Sequence, residues 1–270
     1  MKHIAFILMI TCCLSGCESA PTSKPSTKSI RSNQDETGLV VQHWRIREGG
    51  SSIDAALDQV SLDAEDPIHG ERDFRHDGFR VLVVDETQLE EILSGLGSSF
   101  PMNRTWHGEA VAWRDLRSTR VDQGAVTLEN GRARRLPASI VSLAGRSWSV
   151  PTVSSAGLHV QLIPHVVPQR PEKAVEFRPG ELRGQALSSP LEVTLGPQEY
   201  LLLTSAAGLA KTPDSQEETS SQGPRPAATP GPGTLMPPTV AEMLLDEQNG
   251  GIRGILVIHG IPHPSLIPPG

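Results

Sequence analysis

All three cysteines of this 270-residue chain, Cys12, Cys13 and Cys17, fall within its first seventeen residues. Whatever folds beyond Cys17 has no thiol for a disulfide, a CxxC redox pair or a thiolate metal site, so it must be held together by packing alone. Two polar stretches narrow the foldable part further. Residues 18–37 carry Ser, Thr, Pro and Lys around one isolated aliphatic side chain, Ile30. Residues 212–238 hold Pro213, Pro224, Pro226, Pro230, Pro232, Pro237 and Pro238 among Ser, Thr and Gly. Neither stretch can bury enough apolar surface to offset its ordering entropy, and both are expected to be disordered linkers. What remains is enough for one domain with a sizeable core, or two small ones.

Hydrophobic periodicity predicts an α+β body. Leu39 to Arg47 alternates, with Val40, Trp44 and Ile46 on one side and Val41, His43, Arg45 and Arg47 on the other, which is a half-buried strand pattern. Ser51 or Ser52 can cap a short helix through Val60, with Ile53, Ala56, Leu57 and Val60 at helical spacing. A polar loop is expected over Asp63 to Gly78, then a strand over Phe79 to Val84. Asp85 caps a helix from Glu86 to about Leu96, on which Leu89, Ile92, Leu93 and Leu96 make one apolar face. The α/β module, residues 38–108, is thus a strand-helix-strand-helix unit.

Residues 109–211 read as predominantly β. Asn130-Gly131 marks a tight hairpin, because Asn-Gly suits the type I′ turn that matches strand twist. Further strands are expected at Leu136 to Ala144, Gly157 to Val167, Leu191 to Leu195 and Tyr200 to Thr204. In the last segment, 239–270, a helix over Thr239 to Gln248 and a strand over Ile252 to Ile258 are expected to dock back on the body.

The net charge of −7 repels phosphate backbones, and aromatic residues make up only 4%, so nucleic acid is excluded as a partner. No Gly-x-Ser-x-Gly elbow, Walker loop or dinucleotide fingerprint occurs. The densest polar cluster is His69-Gly70-Glu71-Arg72-Asp73-Phe74-Arg75-His76-Asp77, where imidazoles and carboxylates suit a divalent cation. Arg72 and Arg75 compete for the same carboxylates, and the expectation is a solvated, salt-linked loop. His259 and His263 are four apart, but Pro262 rules out the helix that such a pair needs. His159 and His165 share one face of a strand and are expected to be satisfied surface histidines. No catalytic, cofactor-binding or metal-ligating residue is assigned.

Ile4 to Leu14 is a mostly apolar run behind Lys2 and His3, and Leu14-Ser15-Gly16-Cys17 closes it. It is too short to span a bilayer, which needs about 20 residues. The run and its closing tetrapeptide resemble the signal peptide and lipobox of bacterial lipoproteins. That resemblance implies a signal over residues 1–16, cleavage before Cys17, and acylation that makes Cys17 the lipidated first residue of the mature chain. Residues 17–37 then form a tether, reaching at most about 70 Å when extended. In that family Glu18, where an Asp would favour retention in the inner membrane, points to the outer membrane facing the periplasm.

A second resemblance concerns the β-rich half. Gly157-Leu158-His159-Val160-Gln161-Leu162-Ile163-Pro164-His165-Val166 is similar to the strand of bacterial secretins in which an alternating apolar run ends near a proline. Leu191 to Leu195 with Tyr200 to Leu203 is similar to the amphipathic hairpin that follows it, and residues 39–97 are similar to the ring-forming domains that precede the pore. The resemblance implies fold and envelope assembly, and carries over no functional residue.

The expectation is a non-enzymatic, lipid-anchored envelope protein with a structural or protein-interaction role, in an oligomeric secretin-like assembly, with the membrane and envelope proteins or its own copies as partners. The alternatives are a tethered hydrolase or metal-binding protein using His69 to Asp77, and a solute-binding lipoprotein. Replacing Cys17 by Ser is expected to abolish incorporation of radiolabelled palmitate and to move the protein from the membrane fraction to the soluble one.

Overall fold

The computed structural model describes residues 37–47, 52–60, 68–96, 99–152, 155–169, 180–206, 236–247 and 251–266. Cys17, the tether and nearly all of the Pro-rich stretch lie outside them. The described residues are mostly strand, with a few short helices and several sheets.

The strands at Gly38–Arg47 (β1), Phe79–Asp85 (β2), Ser99–Gly108 (β3), Glu199–Ser205 (β11) and Ile252–Ile261 (β12) form one antiparallel sheet, in the order β2-β11-β12-β1-β3. A second sheet runs β10-β8-β7-β4, from Leu191–Leu195 (β10), Ala156–Pro168 (β8), Ser139–Pro151 (β7) and Ala110–Val121 (β4), with the short Gln185–Ala186 (β9) paired to β8. Val126–Glu129 (β5) and Arg132–Arg135 (β6) make a separate hairpin. Its turn is the expected Asn130-Gly131, with φ of 48° and 71° respectively, the left-handed pair a type I′ turn requires.

Alternation along the strands decides which layer each face meets. Ile46, Leu82, Val84, Leu202, Ile255 and Val257 pack beneath Ile53 and Leu57 of the helix Ser52–Val60 (α1) and Leu89 and Ile92 of the helix Glu86–Gly95 (α3). The opposite face offers Leu39, Val41, Leu201, Leu203, Leu256 and Ile258 to Leu143, Leu158, Val160, Leu162 and Leu191 of the second sheet. Each such aliphatic side chain stabilises the sandwich by about 1.5–3 kcal/mol when fully buried. α3 starts where the sequence places it: Asp85 accepts from the Gln88 amide at 2.8 Å, and the Gln88 side chain accepts from the Asp85 amide at 3.0 Å. A charged clamp fixes α1, since Arg253 of β12 donates to both carboxylate oxygens of Asp54 at 3.1 Å.

The region expected as a polar loop contains a helix, Glu71–His76 (α2), capped at its start by Gly70 at φ 81°. Its ring side chain Phe74 is buried and lies 5.0 Å from Phe79, centroid to centroid, so one face of the segment belongs to the core. The sequence hides this because Phe74 is the only apolar residue of Glu71–His76. The last helix, Val240–Leu245 (α4), is shorter than the pattern implies and is set by the Thr239 and Glu242 capping box. The strand that follows it, β12, lies at the centre of the first sheet.

Asp77, fully buried beyond α2, accepts from the Asn130 amide at 3.0 Å and so pins the hairpin turn. Burial pushes its carboxyl up to about 6, against the opposing pull of that amide. Burial likewise raises Asp246 to about 6 and lowers His43 to about 4. A raised carboxyl makes the folded state hold its proton more tightly than the unfolded chain does, so Asp77 favours folding below about 4 and loses that contribution as pH rises through 6. His43 has the opposite sign, its contribution growing as pH rises from about 4 to 6.5. Asp77→Asn keeps the acceptor for Asn130 and removes the charge. Its melting temperature is expected to exceed the wild type's at pH 7.5, with the gap narrowing as pH falls through 6 and closing only below about pH 4, as thermal denaturation across that range would measure.

Candidate functional site

β3 and β4 follow one another in the chain but belong to different sheets, and each stands at an outer edge of its own. On this side the two sheets part and leave a cleft of about 320 Å³. Its floor is the inward face of the first sheet, from Val41, His43 and Arg45 of β1, Asn103 and Thr105 of β3, and Leu256 of β12; Leu116 and Arg117 of β4 form its wall. The pairing explains the set. His43 lies opposite Asn103 and Leu256, and Val41 lies opposite Thr105, so these side chains share a face. Register shifts in β4 between Ala110 and Arg114 and between Asp115 and Arg117 turn both Leu116 and Arg117 towards the cleft.

The cleft is cationic and under-satisfied. Arg45 is ion-paired with Glu247. Among the described residues Arg117 has one hydrogen bond, from Nε to the Leu244 carbonyl at 3.1 Å, and its terminal nitrogens meet no carboxylate. Burial, and then the neighbouring Arg45, lower its pKa, with Glu247 opposing. His43 is only 8% exposed, and neither ring nitrogen has a hydrogen-bond partner among the described residues; Nε2 is out of reach of water. Leaving a buried polar group unpaired costs about 1–3 kcal/mol.

The free edges of β3 and β4 differ. β4 carries Arg114, Asp115, Arg117 and Arg120 and has two register shifts, all of which discourage another strand from pairing. β3 has one charged residue, Arg104, but its own pairing with β1 also carries two register shifts and the strand includes Pro101. Near its end Trp106 is 48% exposed, and Val111, just past the turn into β4, is 70% exposed.

The residues singled out from the sequence are dispersed. His69 bridges to Glu192 at the outer side of β10, Glu71 pairs with Arg75 four residues on, and Asp77 is buried under the hairpin. Among the described residues no three His, Cys, Asp or Glu stand together in a way that could hold a metal ion. His165 is not a surface histidine: it is 2% exposed, with Nε2 2.9 Å from Asp115 Oδ1 and Nδ1 2.6 Å from the Arg183 carbonyl. Ser142 lies beside it across the sheet from the Ser118 hydroxyl, to which it donates at 2.9 Å. Both His165 nitrogens therefore face groups other than Ser142, and the Asp115, His165 and Ser142 row does not make an activated nucleophile.

His159 faces Thr194 at 3.1 Å and Trp148 at 4.7 Å, within a ladder in which the Arg146 guanidinium sits 4.6 Å from the Trp113 ring and 5.6 Å from the Trp148 ring. His259 stacks on Tyr200 at 4.5 Å, and His263, beyond the strand, hydrogen-bonds Ser265.

The sequence assigns no role to Asn103, Thr105, Leu116 or Arg117, since neither β3 nor β4 shows apolar alternation. The usable signal was His43, a polar group among the apolar residues of a well-formed strand.

No family model matches the chain, and no curated protein or solved structure matches it. His43→Phe, which fills the same space without an unpaired nitrogen, is expected to raise stability by about 1 kcal/mol at pH 7, as chemical denaturation would measure.

Proposed function

We propose that this chain is a lipid-anchored bacterial envelope protein whose body binds other protein chains instead of catalysing a reaction, with copies of itself in a secretin-like ring as the leading partner. The observation that carries the reading is the β3 edge. A ten-residue strand with a single charge ends a five-stranded sheet, and its outer backbone groups pair with no strand among the described residues. Such an edge is a template for an added strand, with main-chain hydrogen bonds giving affinity and the exposed Trp106 beside it offering an aromatic anchor. Both edges carry register shifts, so it is charge, four ionisable residues on β4 against Arg104 alone on β3, that would direct pairing to β3.

Two sequence features support the envelope setting and self-assembly. The lipobox ending at Cys17 supplies the anchor, and the strand-helix-strand-helix segment is similar to secretin modules that associate side by side, whereas the hairpin expected at Leu191 to Leu203 does not form, because its two strands join different sheets.

The test is site-specific photocrosslinking of the full chain in native membranes. A photoreactive residue at position 106 is expected to give a discrete product whose mass identifies a second copy or another protein, whereas one at the exposed Glu91 of α3 is expected to give none. Trp106→Lys should reduce crosslinking from position 104 at least fivefold. A strictly monomeric protein with no product from positions 104 or 106 would overturn the reading.

A further inference from the structure

The inter-sheet cleft has a charge and shape that the docking reading does not use. Its two guanidiniums share one carboxylate, Glu247, which is already committed to Arg45. One positive charge, on Arg117, is left over in a half-buried setting. Around it stand donors with no assignment in the fold: the terminal nitrogens of Arg117 and a ring nitrogen of His43, together with the side chains of Asn103 and Thr105. Val41, Leu116 and Leu256 make the remaining lining apolar.

We propose that this cleft is a binding site for a single carboxylate on a short aliphatic stem, held by the Arg117 guanidinium with His43, Asn103 and Thr105 as further donors, the stem lying on Val41, Leu116 and Leu256. The planar fork of an arginine fits a carboxylate bidentately. A monovalent anion balances the one surplus charge, while inorganic phosphate would bring more charge than the cleft can match beside Glu247. At about 320 Å³ the cavity sits at the lower end of ligand-site volumes, so it suits a side chain or a short acid.

The source is an acidic residue of the strand docked on β3. Side chains of an added strand alternate between faces, and those turned inward next to Asn103 and Thr105 enter the cleft. This last point rests on the docking reading; the carboxylate chemistry does not.

The test uses the full chain purified from membranes in detergent, with pentanoate, pentanamide and inorganic phosphate as probes, followed by ligand-observed NMR and thermal denaturation. Pentanoate is expected to bind at least tenfold more tightly than either of the others, and Arg117→Gln should weaken it at least tenfold. Thr105→Glu, at an exposed position on β3, places a carboxylate at the mouth of the cleft; it should raise the melting temperature and block pentanoate. The Thr105→Glu result remains decisive if Arg117→Gln does not fold.

Equal binding of pentanoate and pentanamide, tighter binding of phosphate, or a lowered melting temperature in Thr105→Glu overturns the proposal. Crosslinking from position 106 without pentanoate binding would overturn the carboxylate site and leave the docking strand standing. Pentanoate binding without crosslinking would uphold the site and remove β3 docking as its source.

Discussion

The first sheet depends on the insertion of one strand. β12 pairs along all ten residues of β1 on one side and along β11 on the other, so it is the common neighbour of strands that come from opposite ends of the body. Without it, β2 and β11 would be separated from β1 and β3, and neither the helical layer nor the second sheet would meet a continuous surface. β12 also carries Arg253, which holds α1 through Asp54, as well as Ile255 and Val257 for one layer and Leu256 and Ile258 for the other. In a chain whose described body contains no cysteine, this double-sided burial does what a covalent link does in small exported domains.

How much of this was legible follows from how each segment declares its partners. α3 was readable to within a residue because both of its signals are local, a capping box at Asp85 and Gln88 and an apolar stripe. The hairpin at Asn130-Gly131 was readable for the same reason. β8 was visible as an apolar run because both its faces are largely covered. What was not legible is the strand order. Alternation shows that β1 and β12 are strands, but nothing local shows that residues more than two hundred apart should pair, or that the segment 38–97 shares its sheet with the chain's last strand.

The cleft was hidden for a related reason. In β1 the side bearing Val41, His43 and Arg45 reads as the more polar face, which in an ordinary amphipathic strand is the wet one. Here that face turns towards the second sheet, and its polarity marks the place where the two sheets stop touching. β3 and β4 escape a periodicity search because their inward positions are Asn103, Thr105 and Arg117, which serve a gap and not a core. The same logic accounts for α2: Phe74 is a single buried anchor, and one residue makes no period.

The cleft's dimensions trace to an atom the chain lacks. Gly254, on β12 opposite Arg45, lies so near the end of α4 that a Cβ there would stand 2.2 Å from the Leu245 carbonyl oxygen and 3.0 Å from His43 Nε2. Any other residue at 254 would have to push away either the helix end whose Leu244 carbonyl steadies Arg117 or the imidazole on the cleft floor. A position that touches no ligand thus acts as a gauge block, spacing the two groups that shape the cleft. Variation at 254 would be read out as altered recognition before it was read out as a broken fold.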